Sequence, residues 1–121
     1  MKVKIDTKEK FHVLTPLEEQ VPANMTAEVD NSLLVYMGMD PCNIILNLEN
    51  VKQINEDTAA MIAAIQQKFY DSNCSMVICN LNPEVEKFLD EVELLENMNV
   101  TPTESEAWDI IQMEEIEREL L

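Results

Sequence analysis

The chain contains one glycine, Gly38, and one histidine, His12. A phosphate-cradling loop needs several glycines so that backbone can approach the phosphate, and that class of nucleotide site is excluded. A lone histidine gives little support to histidine-based catalysis or a zinc site, which draw on several imidazole or thiolate groups. Basic residues are scarce as well, 8 against 24 acids, for a formal charge of −16. Phosphate backbones select for Lys and Arg, so a general nucleic-acid binder is excluded, and an anionic membrane surface is disfavoured for the same reason. No run of about 18 apolar residues exists to span a bilayer. The opening Met1-Lys2-Val3-Lys4-Ile5-Asp6 has the charges of a signal peptide without its apolar stretch, so no signal is expected and the expected compartment is the cytoplasm. Three cysteines, Cys42, Cys74 and Cys79, are an odd number and fit a reducing compartment.

What is present is a hydrophobic fraction of 46% in 121 residues. That length suits one domain, 1–121, with a real core. The apolar content excludes a disordered acidic tail. The partners expected of so acidic a surface are proteins with a neutral or basic docking face.

The hydrophobic pattern changes period along the chain. Val3 and Ile5 alternate with Lys2 and Lys4, and Phe11 and Val13 repeat the pattern, which predicts two short strands joined near Lys8-Glu9-Lys10. Thr15 to Ala23, with Pro16 and Pro22, reads as a loop. Met25, Val29, Leu33, Tyr36 and Met37 then recur at helical spacing. Asn24 or Thr26 is the expected cap, and Gly38 the expected left-handed end. After the turn at Asp40-Pro41, Ile44 to Leu48 is an apolar run of the kind buried on both faces of a central strand. A polar turn, Glu49 to Gln53, leads through Ile54 to a second helix, Ala59 to Tyr70, with Met61, Ile62, Ile65 and Phe69 inward.

Cys74 to Cys79 reads as another buried strand. Pro83 starts a third helix at a favoured first-turn position, with Val85, Phe88, Leu89 and Val92 on its apolar side. Asn99 to Pro102 leaves room for one short edge strand. Thr103 to Leu121 is the last helix, opened by the capping box Thr103-Glu104-Ser105-Glu106, with Ala107, Ile110, Ile111, Met113, Ile116 and Leu120 expected inward. The fold class is α/β: a small mixed, mostly parallel sheet with four helices packed against it, in the order β-β-α-β-α-β-α-β-α.

Few residues are arranged for chemistry. Cys74 and Cys79 lie five apart in a predicted strand, hence on opposite faces and roughly 16 Å apart, which forbids a disulfide or shared metal between them. All three thiols are expected free, with no metal and no cofactor. Nothing near Cys42 would lower its pKa. His12, between Phe11 and Val13, is expected at the surface. The eight methionines read as core filling. From Leu81 onward there are 13 acids against Lys87 and Arg118, a solvated face or a surface for a basic partner. Asn55, Glu56 and Asp57 gather at a helix start, where carboxylates meet backbone N–H groups and a favourable dipole. A phosphoryl group would be accommodated at the same point.

The segment Ile44 to Ile62 resembles the STAS family, the domain of sulfate transporters and anti-sigma factor antagonists, and the resemblance extends over nearly the whole chain. Family members read apolar strand, Asp-Leu-Ser, a valine, then Ile-Asp-Ser-Ser-Gly-Leu running into a helix. Asn47-Leu48-Glu49 resembles the first element, and Val51 and Ile54 fall on the apolar positions. Val77-Ile78-Cys79-Asn80-Leu81-Asn82-Pro83 resembles the later strand and turn, and Thr103-Glu104-Ser105-Glu106-Ala107 the start of the last helix. The signature departs: Asn55 stands at the aspartate, Glu56 and Asp57 at the two serines, and Thr58 at the glycine. In the antagonist branch the second serine is phosphorylated by a kinase-type anti-sigma factor, and Asp57 cannot be. The resemblance implies a non-catalytic regulator that works by protein binding, with Asn55, Glu56, Asp57 and Thr58 as the docking region. It also admits an accessory subunit that braces the ATPase of a bacterial lipid-transport ABC system.

Overall fold

The computed structural model describes residues 2–21 and 26–120. The expected cap Asn24 and the stripe residue Met25 lie outside the described residues. β1 (Val3–Thr7) and β2 (His12–Pro16) form the predicted antiparallel hairpin. β2 then pairs in parallel with β4 (Ile44–Asn47), β4 with β6 (Met76–Cys79), and β6 with β7 (Val100–Thr101). The sheet is five-stranded in the order β1-β2-β4-β6-β7, which puts β4 at its centre. Every residue of β4 and β6 is buried, the state their unbroken apolar runs require.

The segments read as loop and turn contribute a second small sheet. Within Thr15 to Ala23, β3 (Gln20–Val21) pairs in parallel with β5 (Gln53–Ile54), which follows the polar turn. The helices are α1 (Thr26–Leu34), α2 (Glu56–Asp71), α3 (Pro83–Glu91) and α4 (Glu104–Leu120). Alternation along the central strands divides the core. Ile44, Leu46, Met76 and Ile78 join Val29, Leu33, Ile65, Phe69, Val85 and Leu89 of α1, α2 and α3. Ile45, Val77 and Cys79 face the other way, onto Ala107 and Ile111 of α4. Phe11 stacks on Trp108 at 4.9 Å and closes the edge of that smaller cluster.

Helix ends show how a chain with one glycine manages left-handed positions. Gly38 does not take one. α1 tightens into a 3-10 turn, Val35–Gly38, whose i→i+3 bonding satisfies the last carbonyls without a positive φ. Asn73 (φ 61°) and Glu93 (φ 61°) do take one. After α2, Cys74 N–H donates to Phe69 O (2.8 Å) and Asn73 N–H to Tyr70 O (3.1 Å). After α3, Leu94 N–H donates to Leu89 O (3.0 Å) and Glu93 N–H to Asp90 O (3.1 Å). Both are the paired bonds of a Schellman ending. Asn tolerates this conformation, but Glu carries a Cβ penalty there.

Three expectations are corrected. Cys42 and Cys74 form a disulfide (Cα–Cα 5.7 Å), so only Cys79 is free. Cys74 lies before its strand rather than in it, and the parallel register Ile44↔Met76 sets the residues two before each strand side by side. The odd cysteine count therefore no longer argues for a reducing compartment. His12 is buried, not at the surface, because its side of β2 is covered, with Tyr36 of the 3-10 turn packed on its ring at 4.9 Å. Its Nε2 lies 2.8 Å from Pro41 O and donates to it, which leaves Nδ1 to accept from Thr7 Oγ1 at 3.0 Å. On α4, only Ala107 and Ile111 are buried and Ile110 half-buried, while Met113, Ile116 and Leu120 are exposed.

The last difference has a polar cause. The inward side of the C-terminal half of α4 is occupied by Glu114, Glu115 and Arg118. Glu114 accepts from Ser75 Oγ (2.7 Å) and Asn99 Nδ2 (3.0 Å), and Glu115 from Asn43 Nδ2 (2.7 Å). Arg118 lies 3.5 Å from Glu114 and donates to Ser75 Oγ. With that side taken by hydrogen bonds, the apolar residues of the same turns point outward.

Glu93→Gly should raise stability by about 0.5–1 kcal/mol, the relief of the Cβ penalty less the greater chain entropy of glycine. Asn73→Gly should gain less. Denaturant melts of the two variants test this, and a destabilised Glu93→Gly would contradict the left-handed assignment. A thiol reagent should find no accessible thiol in the native oxidised protein, one after unfolding and three after reduction. Three on unfolding alone would mean that Cys42 and Cys74 are not bonded.

Candidate functional site

The four residues singled out at the second helix lie beyond the carboxyl end of β4, where open α/β sheets generally present their binding surfaces. α2 begins one turn earlier than its apolar stripe suggests, at Glu56, because Asn55 caps it. Asn55 Oδ1 accepts the Thr58 N–H at 2.8 Å, and its own carbonyl accepts from Ala59 at 3.0 Å. Glu56 and Asp57 fill the first turn and are exposed, where the helix dipole favours negative charge. Thr58 is placed differently. It is fully buried and lines an apolar slot with Leu14, Val29, Leu33, Leu48 and Ile62. The exposed surface of this helix start is thus formed by Glu56 and Asp57, with Asn55 half-buried and Thr58 in the core.

The loop into the site is braced on three sides. Asn47 Oδ1 accepts from Glu49 N–H (3.0 Å) and shapes the turn at the end of β4. Asn82 Nδ2 donates to Val51 O (2.9 Å) and ties the loop to the start of α3. Lys52 and Gln53 N–H both donate to Glu19 O, at 2.7 and 3.1 Å, which anchors β5 to the segment before β3. The exposed Lys52–Glu19 ion pair (3.3 Å) adds little to that backbone anchor. A shallow groove runs beside the helix start, lined by Lys52, Gln53 and Ile54 on one side and Glu84, Val85 and Phe88 on the other.

The helix start is legible in the sequence, and this frame is not. Two-residue strands carry too little pattern to read, and the one available signal for the clamp was Asn82 directly before the helix-starting Pro83.

Among the described residues no group of three His, Cys, Asp or Glu side chains is placed to hold a metal ion. Cys79, at the end of β6, has its thiol pushed up to about 12 by burial and then by Glu104 and Glu49. It is therefore a neutral, inert thiol near pH 7. No helix among the described residues is long and apolar enough to cross a membrane. What the site offers is a rigid, exposed, doubly acidic helix start beside a groove, suited to contact with a macromolecular surface.

A mostly parallel five-stranded sheet with α1, α2 and α3 on one face and α4 on the other is a three-layer α/β architecture, with a capped helix start beyond its central strand. The chain belongs to the STAS domain family, whose model matches residues 3–107. No curated protein matches it. Among solved structures it is similar to the Thermotoga maritima protein TM1081, with 18% identity, TM-score 0.79, and coverage of 91% of this chain and 94% of that one. It is also similar to an anti-sigma-factor antagonist (STAS) domain protein from Planctomyces limnophilus (14%, TM-score 0.76, 91% and 97%). A third is a serine-to-glutamate variant of RsbS from Moorella thermoacetica (16%, TM-score 0.75, 93% and 96%). At these identities the likeness is one of fold.

Removing the cap tests whether the helix start is held as described. Asn55→Ala should cost about 1 kcal/mol, the usual loss for a capping side chain. Glu56→Gln should change stability far less. Thermal melts that leave Asn55→Ala at the parent value would show that the cap does not hold α2.

Proposed function

We propose that this chain is a non-catalytic regulatory domain that binds a partner protein through the exposed start of α2, with Asn55, Glu56 and Asp57 at the contact and Thr58 beneath it. The observation that carries this reading is the position of Asp57. It is exposed, in the first turn of a capped helix, at the place where the resemblance aligns the phosphoserine of the antagonist branch. A phosphoserine carries about −1.5 to −2 charges at neutral pH and a carboxylate −1. Asp57 is thus a partial and permanent mimic of the phosphorylated state. The protein works in this reading without an upstream kinase step, and the fixed charge tunes how strongly the partner docks.

The partner is a protein of the anti-sigma-factor, kinase-like type. The permanent carboxylate should weaken docking to such a surface, and Asp57→Ser should strengthen it by about 1–2 kcal/mol. The alternative is an accessory subunit of a bacterial lipid-transport ABC system, in which the ATPase subunit uses Asp57 as an acceptor. Asp57→Ser then weakens binding by a similar amount. The test is a titration of parent and Asp57→Ser against the protein that co-purifies with a tagged copy from the native cell. Equal affinities would reduce Asp57 to a helix-start charge and remove the docking assignment.

A further inference from the structure

On α4, Met113, Ile116 and Leu120 are 56%, 57% and 81% exposed. At 100° per residue they share one stripe, opposite the buried Ala107 and Ile111, and it runs about 10 Å along the axis. Single exposed apolar residues are ordinary, but a continuous row on one helix face is the shape that receives another helix. Its borders are acidic: Glu117 and Glu119 lie on either side of the row, and Glu106 and Asp109 at its N-terminal end, all exposed. The one cation of α4, Arg118, is turned away from this face, toward Ser75 and Glu114.

We propose that the outer face of α4 docks a basic amphipathic helix of a partner protein. Charge decides between the occupants an apolar row could take. A second copy related by a two-fold axis would set these acids against themselves, since such an interface repeats the same patch on both sides. An anionic membrane surface repels them. A helix with apolar residues at i, i+3 and i+7 and Lys or Arg on both flanks matches the row and its borders together. α4 packs alone on its side of the sheet, with α1, α2 and α3 on the other. This docking therefore leaves the start of α2 free, and the domain can hold two proteins at once.

The probe is a synthetic helix of about 18 residues with Leu along its apolar face and Lys on its flanks, alongside a twin with Glu in place of Lys. Binding is followed by backbone amide shifts near physiological salt, about 0.15 M. The Lys helix should bind, with shifts centred on Met113, Ile116 and Leu120, and the Glu twin should not. Ile116→Ser should weaken the Lys helix by about tenfold. Val35→Ser removes an equally exposed apolar group on the other side of the sheet and should leave affinity unchanged. Neither substitution alters net charge, so equal affinities for the two variants would reduce the binding to general attraction and overturn the proposal. Equal binding of the Glu twin would overturn the charge argument. A concentration-dependent dimer abolished by Ile116→Ser would assign the face to a second copy instead.

Discussion

The parallel register between β4 and β6, Ile44 against Met76, is the constraint on which the rest of the structure depends. Both strands are buried on both faces, so a shift of one residue would exchange the residues facing α1–α3 with those facing α4. The register also aligns what precedes each strand. Cys42 meets Cys74, and Asn43 meets Ser75, whose N–H donates to Asn43 Oδ1 at 2.8 Å. A covalent bond and a buried hydrogen bond thus fix the same pair of strand entrances.

That corner in turn holds α4. Ser75 and Asn43 extend hydrogen bonds to Glu114 and Glu115, and Asn99, before β7, adds a third. The C-terminal half of the helix is docked by polar contacts, whereas its N-terminal half is docked by Ala107, Trp108 and Ile111. Partly buried carboxylates demand satisfied partners, and here every buried side-chain polar atom among the described residues has one. The arrangement orients the helix more stringently than a uniform apolar stripe would. It also releases Met113, Ile116 and Leu120 to solvent.

Much of the fold was legible in the sequence. Unbroken apolar runs marked the central strands, the three- and four-residue spacing marked the helices, and their alternation fixed parallel crossovers. The features that were not legible depend on what lies across the sheet. Cys42 and Cys74 are 32 residues apart and meet only through the strand register. His12 sits between apolar neighbours as an exposed residue would, but Tyr36 covers its ring and Pro41 O accepts its ring N–H. On α4, two apolar rows lie on opposite sides of one helix, and periodicity alone cannot say which is inward. Only the acids between them, paired to Ser75, Asn43 and Asn99, break the tie. The candidate site was half legible: the Asn55 cap and the acids after it follow from helix-start chemistry, but Thr58 turned out to be core.

The placement of charge follows the same division. Glu114 and Glu115 are consumed in holding α4, whereas Glu56 and Asp57 at the start of α2, and Glu117 and Glu119 on the outside of α4, remain exposed. A formal charge of −16 on a small domain acts against compactness through self-repulsion. The exposed acids at the start of α2 and on the outside of α4 lie on faces separated by the sheet. Each of those faces carries what isolated solubilising charge does not need: a braced loop and groove at one, an ordered apolar row at the other. Acids beside such features set the sign of whatever surface can approach them.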